Sequence, residues 1–291
     1  MVYSSGMNKA QTIQKDNLYI KEIIQQNKPF FIGRVAGCEL KVAYCYKMGN
    51  LLDIVDEIKE LENNAGIYTK DRQSLAEYAR RLVESYDNCT VIAEWEQDGK
   101  VFAHTGSSQE FITKRTPTIP KINALSLEPY YFKDSWMPAL KGKKILIVHP
   151  FSKTIQKQVP NFKKIFPDCA WFEDCEFQFI QPPLTLAGNH KNKDWQEHLN
   201  PFLESLKETS DFDIALIAAG GYGMLISDYI FKDMNKSVMY IGGALQIFFG
   251  VIGKRWFDNK DILKLVNDDW VRPDKNDKPD NFLVVEKGCY W

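Results

Sequence analysis

The chain predicts an α/β fold, a Rossmann-like, mostly parallel sheet flanked by helices. Short apolar runs such as PFFIGRV, ILIVHP, IALIAA and SVMYIGG alternate with amphipathic stretches of helical period. Glycines gather where these runs end. The step of about 24 residues from IALIAA to VMYIGG suits a right-handed parallel crossover.

The first elements follow from spacing. The opening dozen residues are polar and read as a loose segment, 1–16. In DNLYIKEIIQQN, Leu18, Ile20, Ile23 and Ile24 form one helical face, with Asp16 as the expected cap. PFFIGRV follows as a short buried strand. GCELKVAYCYKMGN reads as a helix ending at Gly49, LLDIVDEIKELENN as a second, and KDRQSLAEYARRLVESYDN as a third leading into the strand CTVIAEW.

Between about 97 and 135 the period is lost among turn residues, prolines and aromatics, so an irregular insertion is expected there. Alternation then resumes. LKGKKILIVHPF gives a turn and a strand, SKTIQKQVPNFKKIF a helix, CEFQFIQPP a strand and DWQEHLNPFLESLKETS a helix. DFDIALIAAGGYGMLISDYIFKDMNKSVMYIGG completes the pattern as strand, glycine turn, helix and strand. The reading is one domain over 17–260, with the turn-rich tail 261–291 packed on it.

Composition narrows the function classes. The 291 residues are 44% hydrophobic and 26% charged, ordinary for a globular domain with a substantial core. A formal charge of -1, with 37 scattered basic residues, gives no reason to expect nucleic acid. No stretch reaches ~18 uncharged apolar residues, so no transmembrane segment is expected. Six cysteines without CxxC spacing and an N-terminus without an apolar run point to a reducing, cytoplasmic setting. The four histidines lack ligand-like spacing, so a dedicated zinc site is not expected.

Several positions could carry chemistry. Gly220, Gly221 and Gly223 separate an apolar strand from a helix, where backbone amides could meet an anion; a tight turn that simply needs glycine is the alternative. The spacing is neither the dinucleotide fingerprint nor a Walker motif. Gly242 and Gly243 end the next strand and would line the same crevice, with Gln246 as a hydrogen-bonding group and Lys254 and Arg255 as partners for a diphosphate. His149, Ser152 and Lys153 follow ILIV. His149 reads as a general base or phosphate donor, or else as a buried structural histidine. The loop HTGSSQEF has the polarity of an acceptor loop, and Tyr130 and Tyr131 in EPYYF could stack on a sugar or base or belong to the core.

Three segments, PFFIGRVAGCEL, LKGKKILIVHPF and DIALIAAGGYGMLISDYIFKDMNKSVMYIGG, together resemble the GT-D-fold glycosyltransferases of polysaccharide gene clusters. That family opens with a strand ending in Arg-Phe-Gly-Asp-Gly-Glu. Arg34 matches the motif arginine and Glu39 its final glutamate, whereas the aspartate position holds Gly37 and the following glycine position holds Cys38. The resemblance covers about 17–50 and 137–250. It implies a nucleotide-sugar donor, a glycan or other hydroxyl acceptor, and Mn²⁺ or Mg²⁺ held at Glu39, although the Asp-x-Glu pair is incomplete.

The function expected on this basis is transfer of a sugar from a nucleotide-sugar. Arg34, Gly37 and the glycine turns would contact the donor, Glu39 would bind metal or orient the donor, and His149 would serve as base. The alternative is a non-catalytic binding or scaffold protein that kept the fold without the carboxylate pair. Self-association stays open.

Overall fold

The computed structural model describes residues 9–51, 54–95, 106–209 and 211–291. Its helices and strands alternate as α1 (Lys9–Gln25), β1 (Phe31–Arg34), α2 (Gly37–Met48), α3 (Val55–Ala65), α4 (Arg72–Asp87), β2 (Val91–Glu94), α5 (Gly106–Arg115) and β3 (Lys121–Asn123). The second half adds β4 (Lys144–Val148), α6 (Ser152–Gln158), α7 (Phe162–Ile165), β5 (Glu176–Ile180), α8 (Trp195–Lys207), β6 (Ile214–Ile217), α9 (Gly223–Lys232), β7 (Ser237–Tyr240) and α10 (Lys260–Leu263).

One seven-stranded sheet has the order β3-β2-β1-β7-β6-β4-β5. All its pairings are parallel, with β1 held between β2 and β7 through Ile32↔Val91 and Phe31↔Val238. The expected α/β class is therefore the observed one. Strands β4 and β6 are buried almost throughout, as parallel strands covered on both faces must be. One face carries α2, α4, α8 and α9, with Leu40, Tyr78, Leu82, Trp195 and Ile226 in its core. The other carries α1, α6 and short 3₁₀ turns around Ile20, Trp136, Phe151, Phe248 and Phe249.

Local chemistry explains where elements begin and end. Helix α2 stops at Gly49 in the left-handed conformation, φ 74°, whose amide caps the carbonyls of Cys45 and Tyr46. Helix α4 starts at Asp71, whose carboxylate accepts the Ser74 N–H, and α8 starts at Asp194 with a full capping box to Glu197. Pro160 interrupts SKTIQKQVPNFKKIF, so a 3₁₀ turn separates α6 from α7.

Two local expectations are revised. Helix α1 already runs from Lys9, so residues 9–16 are helical and not part of a loose segment, Asp16 is an interior residue rather than the helix cap, and its carboxylate instead accepts the Asn123 amide at 2.8 Å. The segment expected to be irregular contains α5 and the edge strand β3, followed by 3₁₀ turns. Residues 96–105, including His104 of the polar loop, lie outside the described residues.

Beyond β7 the chain makes a 3₁₀ turn, Gly243–Phe249, and then folds back as turns. Ile165, Ile247, Trp256, Ile262 and Trp270 form a third apolar cluster that fastens this tail to the sheet layer. Among the described residues no helix is long and apolar enough to cross a membrane.

Candidate ligand crevice

At the carboxyl ends of β1 and β7 the chain departs in opposite directions. Strand β1 feeds α2, which packs on one face through Leu40, Val42 and Ala43, whereas β7 feeds the 3₁₀ turn that packs on the other through Leu245, Phe248 and Phe249. Such a divergence marks the place outside the strand ends where a doubly wound sheet usually offers a ligand crevice. Two surface clefts lie elsewhere, one among Lys28, Lys143 and Lys236 near the amino ends of the strands, the other among Tyr46, Lys70 and Glu77 beside α4.

Arg34, the last residue of β1, stands in this crevice. Its guanidinium lies against Gly242, where a Cβ would overlap Nη1, with its central carbon 5.1 Å from the Trp95 ring centre. Gly242 has φ 76°, so both its backbone and the arginine above it require glycine. The neighbouring Gly33 is needed for another reason: a side chain there would run into Cys89 and Met224 beneath the strand.

Glu39 lies in the first turn of α2 and is only 7% exposed. The Cys38 thiol donates to its Oε2 at 2.8 Å. Burial raises its pKa, against the lowering effects of that hydrogen bond and of Arg34 nearby. Burial also pushes the Cys38 thiol well up, with Glu39 adding to the effect. Gly37 opens α2 after Ala36, which makes no side-chain cap.

The donor set around Glu39 does not fit a divalent cation. It offers one buried carboxylate, already engaged by a thiol and faced by a guanidinium, whereas Mg²⁺ or Mn²⁺ at a diphosphate favours accessible carboxylate oxygens. Among the described residues no group of three or more His, Cys, Asp and Glu side chains is arranged to hold a metal.

A second carboxylate completes the crevice and was missed in the sequence. Glu128 accepts a hydrogen bond from the Tyr130 hydroxyl. Burial raises its pKa, while Tyr130, Arg34 and Arg255 pull it down. Its signal in the sequence is the EPYYF run, where the glutamate stands just before the proline and the two tyrosines.

Arg255 approaches from the tail. Its Nη1 donates to the Tyr290 hydroxyl at 2.9 Å and its Nη2 to Glu286 Oε2 at 3.0 Å. Partial desolvation opposes its charge, although the side chain is 42% exposed, and Tyr290 and Glu286 outweigh that effect and hold its pKa above the ordinary value. Lys254 is exposed and contributes its backbone amide to the Trp291 carbonyl. Gly243 is pressed by the Tyr290 ring, so Tyr290 occupies ground expected for a ligand.

The other candidates serve packing. Gly220, φ 50°, lies against the Ala65 carbonyl; Gly221 against Ile67 and Tyr78; and Gly223 against the Tyr240 ring. The Tyr78 hydroxyl donates to the Gly221 carbonyl at 2.9 Å and the Tyr240 hydroxyl to that of Gly220 at 2.8 Å. These glycines give close approach to the protein's own groups, a cause indistinguishable from ligand approach in the sequence. Gln246 is fully buried and its Nε2 donates to the Val251 and Tyr290 carbonyls at 3.0 and 3.2 Å, so it ties the tail to the sheet layer.

His149 stands at the end of β4, separated from β1 by β6 and β7. It is 2% exposed, its Nδ1 accepts the Phe151 amide at 2.9 Å, and its Nε2 has no hydrogen-bond partner among the described residues. Burial lowers its pKa from 6.5 to about 3, which makes it a poor proton acceptor at neutral pH. Ser152 is buried, donates its amide to the His149 carbonyl at 3.1 Å and opens α6; Lys153 beside it is exposed.

A pH dependence follows. The depressed folded pKa means that the unfolded chain takes up a proton first, so His149 removes stability as pH falls from 6.5 toward about 3. A His149→Asn protein, whose amide oxygen can replace the Nδ1 acceptor, should lose less stability than wild type across that window. Urea titrations at several pH values check this; parallel acid-side slopes would remove the assignment.

Comparisons of the chain with protein-family models, curated proteins and solved structures gave no match.

Proposed function

We propose that the protein binds the diphosphate of a nucleotide-sugar in the β1/β7 crevice and transfers the sugar to a glycan or other hydroxyl acceptor. The observation that carries this reading is the convergence of Arg34, against Gly242, and Arg255, bonded to the Tyr290 that covers Gly243, at the carboxyl ends of parallel strands near the half-buried Glu128. Guanidinium groups suit phosphate oxygens because their N–H donors form parallel pairs of charge-assisted bonds. In a transfer reaction the same positive charge would stabilise the departing diphosphate, the kind of electrostatic contribution that often dominates catalysis.

Glu128 suits the acceptor side of that reaction. A carboxyl whose pKa is raised by burial can take a proton from a hydroxyl more effectively than an ordinary exposed one. Tyr130 fixes its orientation through the phenol hydrogen bond. Glu39, engaged by Cys38, would support Arg34 and the first turn of α2. No step in this scheme requires a divalent cation.

A non-catalytic binding protein is the second reading. The observation in its favour is that the Gly220–Gly223 turn is filled by Ala65, Ile67, Tyr78 and Tyr240, which leaves the arginines without the amide cradle expected beside them.

A thermal-shift panel of nucleoside diphosphates and nucleotide-sugars, with and without Mn²⁺, tests the proposal. A ligand at ~100 times its dissociation constant stabilises the fold by about 2.7 kcal/mol, enough for a measurable rise in Tm. One nucleotide family should raise Tm with or without Mn²⁺, and the matching nucleotide-sugar should be hydrolysed slowly when no acceptor is present. Binding without hydrolysis or transfer favours the second reading; no shift at millimolar ligand rules out the donor site.

A further inference from the structure

We propose that Glu286 is a built-in placeholder for a phosphate at Arg255, released through the Glu286–Gly288 hinge when a diphosphate enters the crevice. This rests on the nucleotide-sugar reading and adds a regulated threshold to it.

The anchor of the tail is firmly fixed. The Arg255 amide donates to the Cys289 carbonyl at 2.7 Å, the Lys254 amide to the Trp291 carbonyl at 3.3 Å and Trp291 Nε1 to the Asp277 carbonyl at 2.8 Å. Gly253 leaves room for the backbone of Cys289 and Tyr290, which any side chain there would strike. Tyr290 thus stays beside Arg255, its ring centre 5.1 Å from the guanidinium carbon.

The residues just before this anchor differ in character. Glu286, Lys287 and Gly288 have φ of 43°, 58° and 74°, three successive left-handed positions of which only the glycine is suited to it. Such a backbone persists where surrounding contacts hold it. Here they include the Glu286 carboxylate on Arg255 Nη2, the Cys289 thiol donating to the same carboxylate at 3.2 Å, and the Gly288 amide on the Val285 carbonyl at 2.8 Å.

Glu286 therefore offers Arg255 one carboxylate oxygen in a geometry that strains its own backbone. A phosphate offers more negative charge and several oxygens to the same fork. The ion pair is open to solvent, with side chains 42% and 43% exposed, so an incoming anion can compete for it without prior unfolding. On displacement the Glu286–Gly288 backbone loses one of its restraints and is freed to leave the left-handed region. Tyr290 remains as the platform beside the bound group.

The test is calorimetric titration of inorganic pyrophosphate and nucleoside diphosphates into the full chain, comparing wild type with Glu286→Gln, Glu286→Ala and Arg255→Gln. Loss of one exposed competing ion pair should tighten binding by both Glu286 variants about 2- to 5-fold, and Arg255→Gln should weaken it. Hydrogen exchange at the amides of residues 286–288 should quicken when pyrophosphate binds wild type. Equal affinities for wild type and both Glu286 variants, with unchanged exchange, would overturn the placeholder and leave the nucleotide reading intact. If none of the proteins binds any of these anions, both fall.

Discussion

An Arg34→Ala protein should bind pyrophosphate and nucleoside diphosphates at least about 30-fold more weakly than wild type, a loss of roughly 2 kcal/mol or more. Arg34 is the arginine set on the sheet itself, at the end of β1, between Gly242 and the Trp95 ring. Arg34→Lys should recover only part of the loss, because an ammonium restores charge but not the paired donors. Truncation also removes the cation facing Glu39, so urea unfolding of each variant must accompany the titrations. An affinity unchanged by Arg34→Ala, in a protein that remains folded, would move the anion site away from β1.

Trp195→Ala should cost about 3–5 kcal/mol of unfolding free energy, the range for truncating a fully buried indole. Trp195 is inaccessible to solvent, meets the Tyr78 ring edge-on at 5.4 Å and donates from Nε1 to the Ser74 carbonyl and hydroxyl at 3.2 and 3.1 Å. It joins α8 to α4 at the point where Asp194 caps one helix and accepts the Lys70 amide at 3.2 Å. Trp195→Phe should lose clearly less, since most packing survives and only part of the ring volume and the indole hydrogen bonding are lost. Equilibrium urea denaturation gives both values, and equal losses in the two variants would place the stabilisation in that hydrogen bond.

The fold was legible because parallel strands buried on both faces leave continuous apolar runs, and ILIV and IALI are such runs. Helix starts were less legible. Asp16 has the chemistry of a cap, but its carboxylate is used by the Asn123 amide, and nothing local to Asp16 announces a partner so far along the chain. The irregular insertion hid α5 and β3 because β3 is short and sits at the sheet edge, where hydrophobic period is weakest.

The positions of Arg34 and Glu39, at the end of β1 and in the first turn of α2, were legible from strand and helix alone. At the Gly220–Gly223 turn the sequence leaves two readings open, because a glycine kept for Tyr78 and Tyr240 looks the same as one kept for a phosphate. Gln246 and Arg255 share that difficulty: both have ligand-binding chemistry, and both hold the tail through Tyr290. Glu128 escaped because it follows a 3₁₀ turn beyond an edge strand, and only folding brings it toward Arg34 and Arg255.

The central position of β1 also bears on how the chain reaches this structure. During synthesis β1 can pair with β2 soon after both emerge, but its other neighbour, β7, is made roughly 200 residues later. Until then the strand that carries Arg34 has one open hydrogen-bonding edge. Closing the sheet is therefore a late, long-range event, the kind of contact that slows folding, and a chain released before β7 would present that edge to other nascent strands.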